Sequence, residues 1–254
     1  MSIKTTAVRA AKKAGAEIQR LSDTKIRYEM KRKRDILAQA DLRSEKIIIN
    51  EIKKAYPSHS IISEEAGEAI TNSEYVWIID PVDGTINFSR KLNEYCVSIA
   101  VSFRNQIILA VVYNPATHEL YFAEKNKGAY LNNKKIRVSR ETKMIGMLLA
   151  TDNSGTPSIR AKNYELLAKI CNEVRHVRIF GSGALHLAKV ASGKIDIYYK
   201  MKFNYWDYAA GLLLVQEAGG KVTDFNGETI RKSSKDIVAS NGKIHGTILK
   251  SMVR

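Results

Sequence analysis

Two short segments of the chain carry carboxylates whose types and spacing are suited to binding a metal ion. Asp80 and Asp83 lie in the sequence DPVDGT of residues 80–85, and Glu64 lies in the preceding segment SEE. Carboxylate oxygens are the hard ligands that Mg²⁺ prefers over the His and Cys ligands typical of Zn²⁺. The apolar residues 76–79 predict a buried strand that ends at Asp80 in a Pro- and Gly-containing turn. An isolated Asp-x-x-Asp-Gly-Thr motif is also typical of an ordinary surface turn, so the rest of the chain must decide.

The two residues after these acids predict an anion site in the same loop. Gly84 and Thr85 offer backbone N–H groups, and a helix beginning there would add its partial positive charge. Metal ligands and phosphate donors would then share one loop.

The composition indicates a folded globular protein and excludes a disordered or fibrous one. The chain has 254 residues, of which 44% are hydrophobic and 26% charged, enough for one large domain or two closely packed lobes. No stretch is predicted to span a membrane, and the first residues lack the apolar run of a secretory signal. Cys96 and Cys171 lie outside any paired motif, so we expect them to be buried thiols in a reducing cytoplasm.

The net charge of +15 predicts attraction to anionic partners, which include nucleic acids, membranes and phosphorylated metabolites. The densest basic run is KRKR at residues 31–34. It is either a solvated face or a nucleic-acid patch, although it lacks the interleaved aromatic residues that stack on bases. A basic loop here would also raise the local concentration of a phosphorylated substrate. The five histidines fall outside the acidic motifs and are predicted to be incidental to catalysis.

Hydrophobic periodicity predicts alternating helices and strands that deliver the acids to one place. Amphipathic helices are expected at 8–21 and from Asp41 to Tyr56, and short strands at 61–62 and 76–79 lead to Glu64 and Asp80. The remaining predictions are a strand meander at 95–103, 107–114 and 119–123, strands at 146–150 and 194–199, and helices at 158–174, 183–192 and 206–218. A change of pattern near residue 140 predicts an N-terminal α+β lobe, 1–140, and a C-terminal α/β lobe, 141–254.

A fourth acid, Asp207, opens the last predicted helix in the sequence WDYAAG. Alone, it is explained as an acid in a first helical turn. Together with the earlier motifs and in the same order, it resembles the inositol monophosphatase superfamily of Mg²⁺-dependent, lithium-sensitive phosphatases. The resemblance runs through residues 63–65, 80–88, 181–182 and 206–220, and so covers nearly the whole chain.

The resemblance implies a fold, an activity and a set of roles. The fold would be α/β (α+β), a layered αβαβα sandwich of the sugar-phosphatase type, and the activity Mg²⁺-dependent hydrolysis of a small sugar or polyol phosphate. The metal ligands for two or three Mg²⁺ ions would be Glu64, Asp80, the Val82 carbonyl, Asp83 and Asp207. The catalytic residues beside the attacking water would be Glu64, Thr85 and Asp41. The substrate contacts would be Asp83, Gly84, Thr85, Gly181, Ser182, Gly183, Lys200 and Asp207.

The sequence departs from the family pattern at three places. Lys200 stands where the family usually has an acid that receives substrate hydroxyls, and it either points to solvent or attracts a second anionic group. Lys31 and Lys33 both lie near the place of a single family lysine, and Ser63 replaces a usual Gly. Lys200 and the net charge raise the hypothesis of a sugar or nucleotide bisphosphate substrate, such as fructose bisphosphate or adenosine bisphosphate.

A second function class is an RNA-associated or transcription-complex protein that retains the phosphatase fold, because fold and function separate readily. The charge of +15 favours it, whereas the complete set of acids favours the enzyme. The family also suggests a homodimer.

Overall fold

The computed structural model describes residues 2–22, 28–32 and 35–253. The helices are α1 Ile3–Ser22, α2 Gln39–Ala55, α3 Thr85–Ser89, α4 Pro157–Ile170, α5 Gly183–Ala191, α6 Tyr205–Glu217 and α7 His245–Val253. The first strands are β1 Tyr28–Arg32, β2 Asp35–Ala38, β3 Ser60–Ser63, β4 Gly67–Ala69, β5 Tyr75–Asp83, β6 Cys96–Phe103 and β7 Gln106–Asn114. The later strands are β8 Glu119–Glu124, β9 Gly128–Leu131, β10 Lys134–Ile136, β11 Leu148–Ala150, β12 His176–Arg178, β13 Ile197–Met201, β14 Lys221–Thr223 and β15 Asp236–Ser240.

These elements form five layers around three apolar clusters. Helices α1 and α2 cover one face of an eight-stranded sheet of order β10-β9-β8-β7-β6-β5-β3-β4. Helices α5 and α6 lie between its other face and a five-stranded sheet of order β12-β11-β13-β15-β14. Helices α4 and α7 cover the outer face of that second sheet. The αβαβα sandwich expected from the sequence is confirmed.

Strand β5 is central to the first sheet and carries its apolar side chains to both faces. Trp77 and Ile79 join the cluster under α1 and α2, whereas Ile78 joins the cluster under α5 and α6. Successive side chains of a strand point to opposite faces, so a strand covered on both sides must be apolar throughout. The apolar run ends at Asp80, which is itself buried, and the strand continues to Asp83.

The middle helix layer joins the two sheets into one core. Ala188 of α5 and Leu214 of α6 share a cluster with Ala100 of the first sheet and Ala239 of the second. The lobe boundary at residues 140 and 141 stays a prediction.

The predicted elements correspond to observed ones with shifted ends. The meander is strands β6, β7 and β8, and the helix predicted at 158–174 ends at Ile170. The 194–199 strand is β13, displaced to Ile197–Met201. Of the basic run, Lys33 and Arg34 lie outside the described residues, and Lys31 and Arg32 are the last two residues of β1. Among the described residues, every helix is too short or too polar to cross a membrane.

Candidate active site

The two acids lie in the last part of β5, which extends to Asp83 and so continues beyond the end predicted at Asp80. Asp80 is almost completely buried, and its Oδ1 accepts a hydrogen bond of 3.1 Å from the Val82 backbone N–H. The pairing of β5 with β6 shifts register between Asp80, opposite Ser98, and Asp83, opposite Cys96, so the strand bulges at Pro81 and Val82 between the two acids. Gly84 follows with a φ of 93°, and a Cβ there would lie 2.7 Å from the Glu94 carbonyl oxygen. Only glycine fits this turn without strain.

Asp83 connects the two sheets through α5. Its Oδ2 accepts hydrogen bonds from Ser182 Oγ at 2.6 Å and from the Ala184 backbone N–H at 2.7 Å. Burial and the nearby charge of Asp207 raise the pKa of Asp83 to about 6, although these donors and Lys200 act to lower it. The carboxylate is therefore held in place by the first turn of a helix from the other half of the chain.

Asp207 lies in the first turn of α6. Its Oδ2 accepts a hydrogen bond of 3.0 Å from the Asn204 backbone N–H, which completes a capping box at the helix start. Burial raises the pKa of Asp207 even though Lys200 acts to lower it. Asp207 therefore caps α6, and its role as a metal ligand stays a prediction.

The pKa of Asp80 indicates that the acids act on one another. Burial raises this pKa well above its usual range, and the charges of Glu64, Asp83, Asp207 and Asp41 raise it further, in that order. Such mutual repulsion requires the carboxylates to face a common region. The fold thus brings together all four acids that the sequence singled out as metal ligands, together with Asp41.

The donor set fits a hard divalent cation. Among residues 2–22, 28–32 and 35–253, no group of three His, Cys, Asp or Glu side chains is arranged to hold a metal ion as it stands. The acids around Asp80 are nevertheless all oxygen donors, and burial together with neighbouring negative charge raises the pKa values of Asp80 and Asp83, which a bound cation would offset. Glu64, Asp80, Asp83 and Asp207 are the side chains that would hold Mg²⁺.

Thr85 and Asp41 lie next to each other at the start of α3 and α2. Thr85 Oγ1 is 3.4 Å from Asp41 Oδ1 and 3.0 Å from the Val82 carbonyl oxygen, and Asp41 is only 2% exposed. A hydroxyl that contacts a buried carboxylate is arranged to pass a proton between that carboxylate and an incoming water.

Glu45 supports the loop that carries Glu64, a role the sequence reasoning missed. This buried side chain accepts hydrogen bonds from Ser63 Oγ and from the backbone N–H groups of Glu65, at 3.2 Å, and Ala66, at 2.9 Å. It lies four residues after Asp41 on α2, a helical spacing that places both on one face.

The glycines around Ser182 allow α5 to approach the acidic loop. Gly181 has a φ of 78°, and a Cβ on Gly183 would lie 3.0 Å from the Phe203 ring. Asn87 closes the same junction, because its Nδ2 donates to the carbonyl oxygens of Phe180, at 2.6 Å, and Glu94, at 2.7 Å.

Lys200 points into the protein. Its side chain is 12% exposed, and its Nζ lies 3.7 Å from Asp152 Oδ2 and 4.0 Å from Asp207 Oδ2. Asp152 is also bound by Tyr198, whose hydroxyl donates at 2.5 Å, and His186 Nδ1 lies 3.3 Å from its other oxygen. Sequence reasoning missed Asp152 and treated His186 as incidental, since neither belongs to a recognisable motif.

This fold and this acidic loop define a layered α/β protein of the sugar-phosphatase class. The chain belongs to the inositol monophosphatase family, whose model matches residues 2–254.

Characterised relatives carry two kinds of name. A protein of Escherichia coli strain K12 named Nus factor SuhB is 41% identical over 254 residues, which cover 97% of this chain and 94% of the relative. A Thermotoga maritima fructose-1,6-bisphosphatase/inositol-1-monophosphatase is 37% identical, over 85% of this chain and 82% of the relative. The crystal structure of the suhB protein from Bartonella henselae superposes with a TM-score of 0.96 at 35% identity, covering 99% of this chain and 98% of that one.

Proposed function

We propose that this protein is a Mg²⁺-dependent phosphoric monoester hydrolase that acts on a small polyol or sugar phosphate, with inositol monophosphate as the leading substrate. The observation that carries this proposal is the placement of buried Asp80 in the same loop as Thr85, whose Oγ1 lies 3.4 Å from Oδ1 of the buried Asp41. Relatives named inositol-1-monophosphatase support the same activity.

The residues divide into three roles. Glu64, Asp80, Asp83, Asp207 and the Val82 carbonyl are the proposed metal ligands for two or three ions. When bound, Mg²⁺ supplies positive charge to the transferred phosphoryl group and lowers the pKa of a bound water. Thr85 orients the attacking water, and Asp41 holds the proton that the water gives up, with Glu64 sharing in this step. A second water returns a proton to the leaving alcohol, so the products are the free alcohol and inorganic phosphate.

The substrate would lie between the acidic loop and α5. The N–H groups of Gly84 and Thr85 are proposed phosphate donors, and residues 181–183 with Asp207 contact the alcohol portion. Lys200 is also a proposed contact, because its distances of 3.7 and 4.0 Å to the two carboxylates leave N–H donors for a substrate oxygen. Its charge is balanced within the protein by Asp152, which favours a monophosphate over a bisphosphate.

The first experiment is phosphate release from inositol, sugar and nucleotide phosphates with Mg²⁺, with and without Li⁺. Asp83→Asn serves as the blank because it removes one proposed ligand and keeps the side-chain shape. Metal-dependent, lithium-inhibited turnover that disappears in the variant supports the proposal. Inactivity of folded, Mg²⁺-loaded protein on every substrate would refute it, and a higher kcat/KM for fructose or adenosine bisphosphate would replace the monophosphate.

A groove beside α1 favours association with RNA as a second function. The groove has a volume of about 740 Å³, and its lining includes Lys4 and Lys12 of α1 and the aromatic rings of Phe122 and Tyr130. Lys4 Nζ lies 4.3 Å from the centre of the Phe122 ring. Cationic grooves lined with aromatic rings are typical of single-stranded nucleic-acid sites. The Escherichia coli relative named as a Nus factor supports a place in a transcription complex.

This second function is tested with a fluorescent single-stranded RNA and Asp83→Asn protein, which separates binding from catalysis. Salt-dependent binding that is weakened by the pair Lys4→Glu and Lys12→Glu, but unchanged by Lys162→Glu on α4, supports the groove. Equal binding by all variants would exclude it. The homodimer and the cytoplasmic location remain proposals from the family, and sedimentation of the purified chain tests the first.

A further inference from the structure

The cation that faces the acidic site belongs to the protein itself. Strand alternation projects Tyr198 and Lys200 of β13 to the same side, while Tyr199 between them enters the core under α4 and α7. On that side, Lys200 Nζ lies between Asp152 and Asp207, at 3.7 and 4.0 Å from their carboxylate oxygens. The ammonium therefore touches one proposed metal ligand and one acid outside the proposed ligand set.

The surroundings of Asp152 hold the ammonium in this position. Asp152 is 4% exposed and accepts from the Tyr198 hydroxyl at 2.5 Å. His186 Nε2 accepts from the Phe180 backbone N–H at 3.3 Å, and its Nδ1 faces Asp152 Oδ1 at 3.3 Å. The His186 ring stacks on Tyr198 with centroids 4.6 Å apart. The Lys200 ammonium also lies 4.5 Å from the centre of the Phe203 ring.

We propose that Lys200 is a built-in counter-ion of the acidic site. Asp152 holds the Lys200 ammonium beside Asp207, where the ammonium supplies part of the positive charge that Mg²⁺ otherwise provides and so weakens Mg²⁺ binding. This inference rests on the proposed function. Besides its proposed substrate contact, Lys200 would then set the Mg²⁺ affinity of the site.

The electrostatics of the site support the proposal. Two carboxylate oxygens, of Asp152 and Asp207, lie within 4.0 Å of Lys200 Nζ, so the ammonium offsets negative charge at the Asp207 end of the site. Lys200 in turn acts to lower the pKa values of Asp83 and Asp207. The Lys200 ammonium already stabilises these carboxylates. It therefore competes with Mg²⁺ for the same negative charge and repels the ion.

Two substitutions test the proposal with opposite expected signs. Lys200→Met keeps the aliphatic stem and removes the charge, so we expect the Mg²⁺ dissociation constant to fall by about tenfold or more, since charges a few ångströms apart in a partly buried site interact by a few kcal/mol. Asp152→Asn keeps an acceptor for Tyr198 but leaves the ammonium unbalanced, so Mg²⁺ binding should weaken. Lys202→Met, at an exposed lysine two residues away, is the matched control and should change nothing.

The readouts are Mg²⁺ titration by calorimetry and the Mg²⁺-dependent rise in melting temperature, with EDTA as the baseline. If Lys200 served only for packing, both variants would lower the EDTA melting temperature and weaken Mg²⁺ binding together. Unchanged or weaker binding by folded Lys200→Met would overturn the proposal. If instead wild-type and Asp83→Asn bind Mg²⁺ equally, the proposed metal site itself has failed, so the two failures are distinguishable.

Discussion

Replacing Asp83 by Asn should abolish turnover and yet stabilise the metal-free protein. Asp83 is held by Ser182 and the Ala184 N–H, and burial raises its pKa from 3.8 to about 6. Because the folded pKa is above the unfolded one, ionisation opposes folding. The contribution of Asp83 to the free energy of unfolding is fully present below about pH 4 and is lost as the pH rises through about 6. Asn resembles the protonated acid and avoids this loss.

The expected size follows from the pKa. A rise from 3.8 to about 6 corresponds to about 3 kcal/mol lost at pH 7.5, which is the upper limit of what Asn restores. For a chain of this length, that corresponds to a melting temperature higher by about 6–12 °C. At pH 3.5 both forms are neutral in the folded state, and the difference should nearly vanish.

The assay is thermal unfolding in EDTA at pH 3.5, 5.5 and 7.5, repeated with Mg²⁺. Glu74→Gln is the control, since Glu74 is an exposed partner of Arg104 and its loss should change stability by less than about 0.5 kcal/mol. With Mg²⁺ the wild-type protein should have the higher melting temperature, because it gains binding energy that the Asp83→Asn variant lacks. An Asp83→Asn protein less stable than wild-type in EDTA at pH 7.5 would refute the reasoning.

Three further substitutions test the loops around the site. Gly84→Ala should destabilise the fold by about 1–3 kcal/mol, because φ is 93° and the new Cβ would lie 2.7 Å from the Glu94 oxygen; denaturant unfolding measures this, and an unchanged midpoint contradicts it. Glu45→Ala leaves buried donors unpaired, so the unfolding free energy should fall by about 2 kcal/mol and Mg²⁺ affinity with it, whereas Glu45→Gln should recover part of both. Thr85→Ala should lower kcat by about 100-fold with little change in KM, and Thr85→Ser should restore activity. A change in KM with an unchanged kcat would exclude the proposed role of Thr85 beside Asp41.

The sequence predicted the acidic loop because its chemistry is local. An apolar run followed by Asp-Pro-x-Asp-Gly predicts a strand, a turn and two neighbouring acids within nine residues. The order of the helices and strands was predictable for the same reason, as periodicity depends on near neighbours. Strand ends were displaced, as at β13, because pairing with β15 and not local preference decides where a strand stops.

The supports of the site were not predictable, because they depend on contacts distant in the chain. Glu45 reads as one more charge on an amphipathic helix until the fold places the 63–66 turn upon it. Asp152 and Lys200 lie 48 positions apart and form no motif, and only the second sheet brings them together. Lys200 was visible as an unusual residue, but its direction, into the protein or toward solvent, required the structure.

The helix layer between the two sheets has a consequence for how the chain can be divided. Because α5 and α6 pack against both sheets in one cluster, a cut near residue 140 leaves each piece with an uncovered apolar face. The first piece would expose Ile78, Ala100 and Val112, and would lose the Ser182 and Ala184 donors that orient Asp83. The site is therefore complete only when both halves of the chain are present. The chain acquires its chemistry only after its C-terminal half has been made and has docked, so truncated products should be insoluble and unable to bind Mg²⁺.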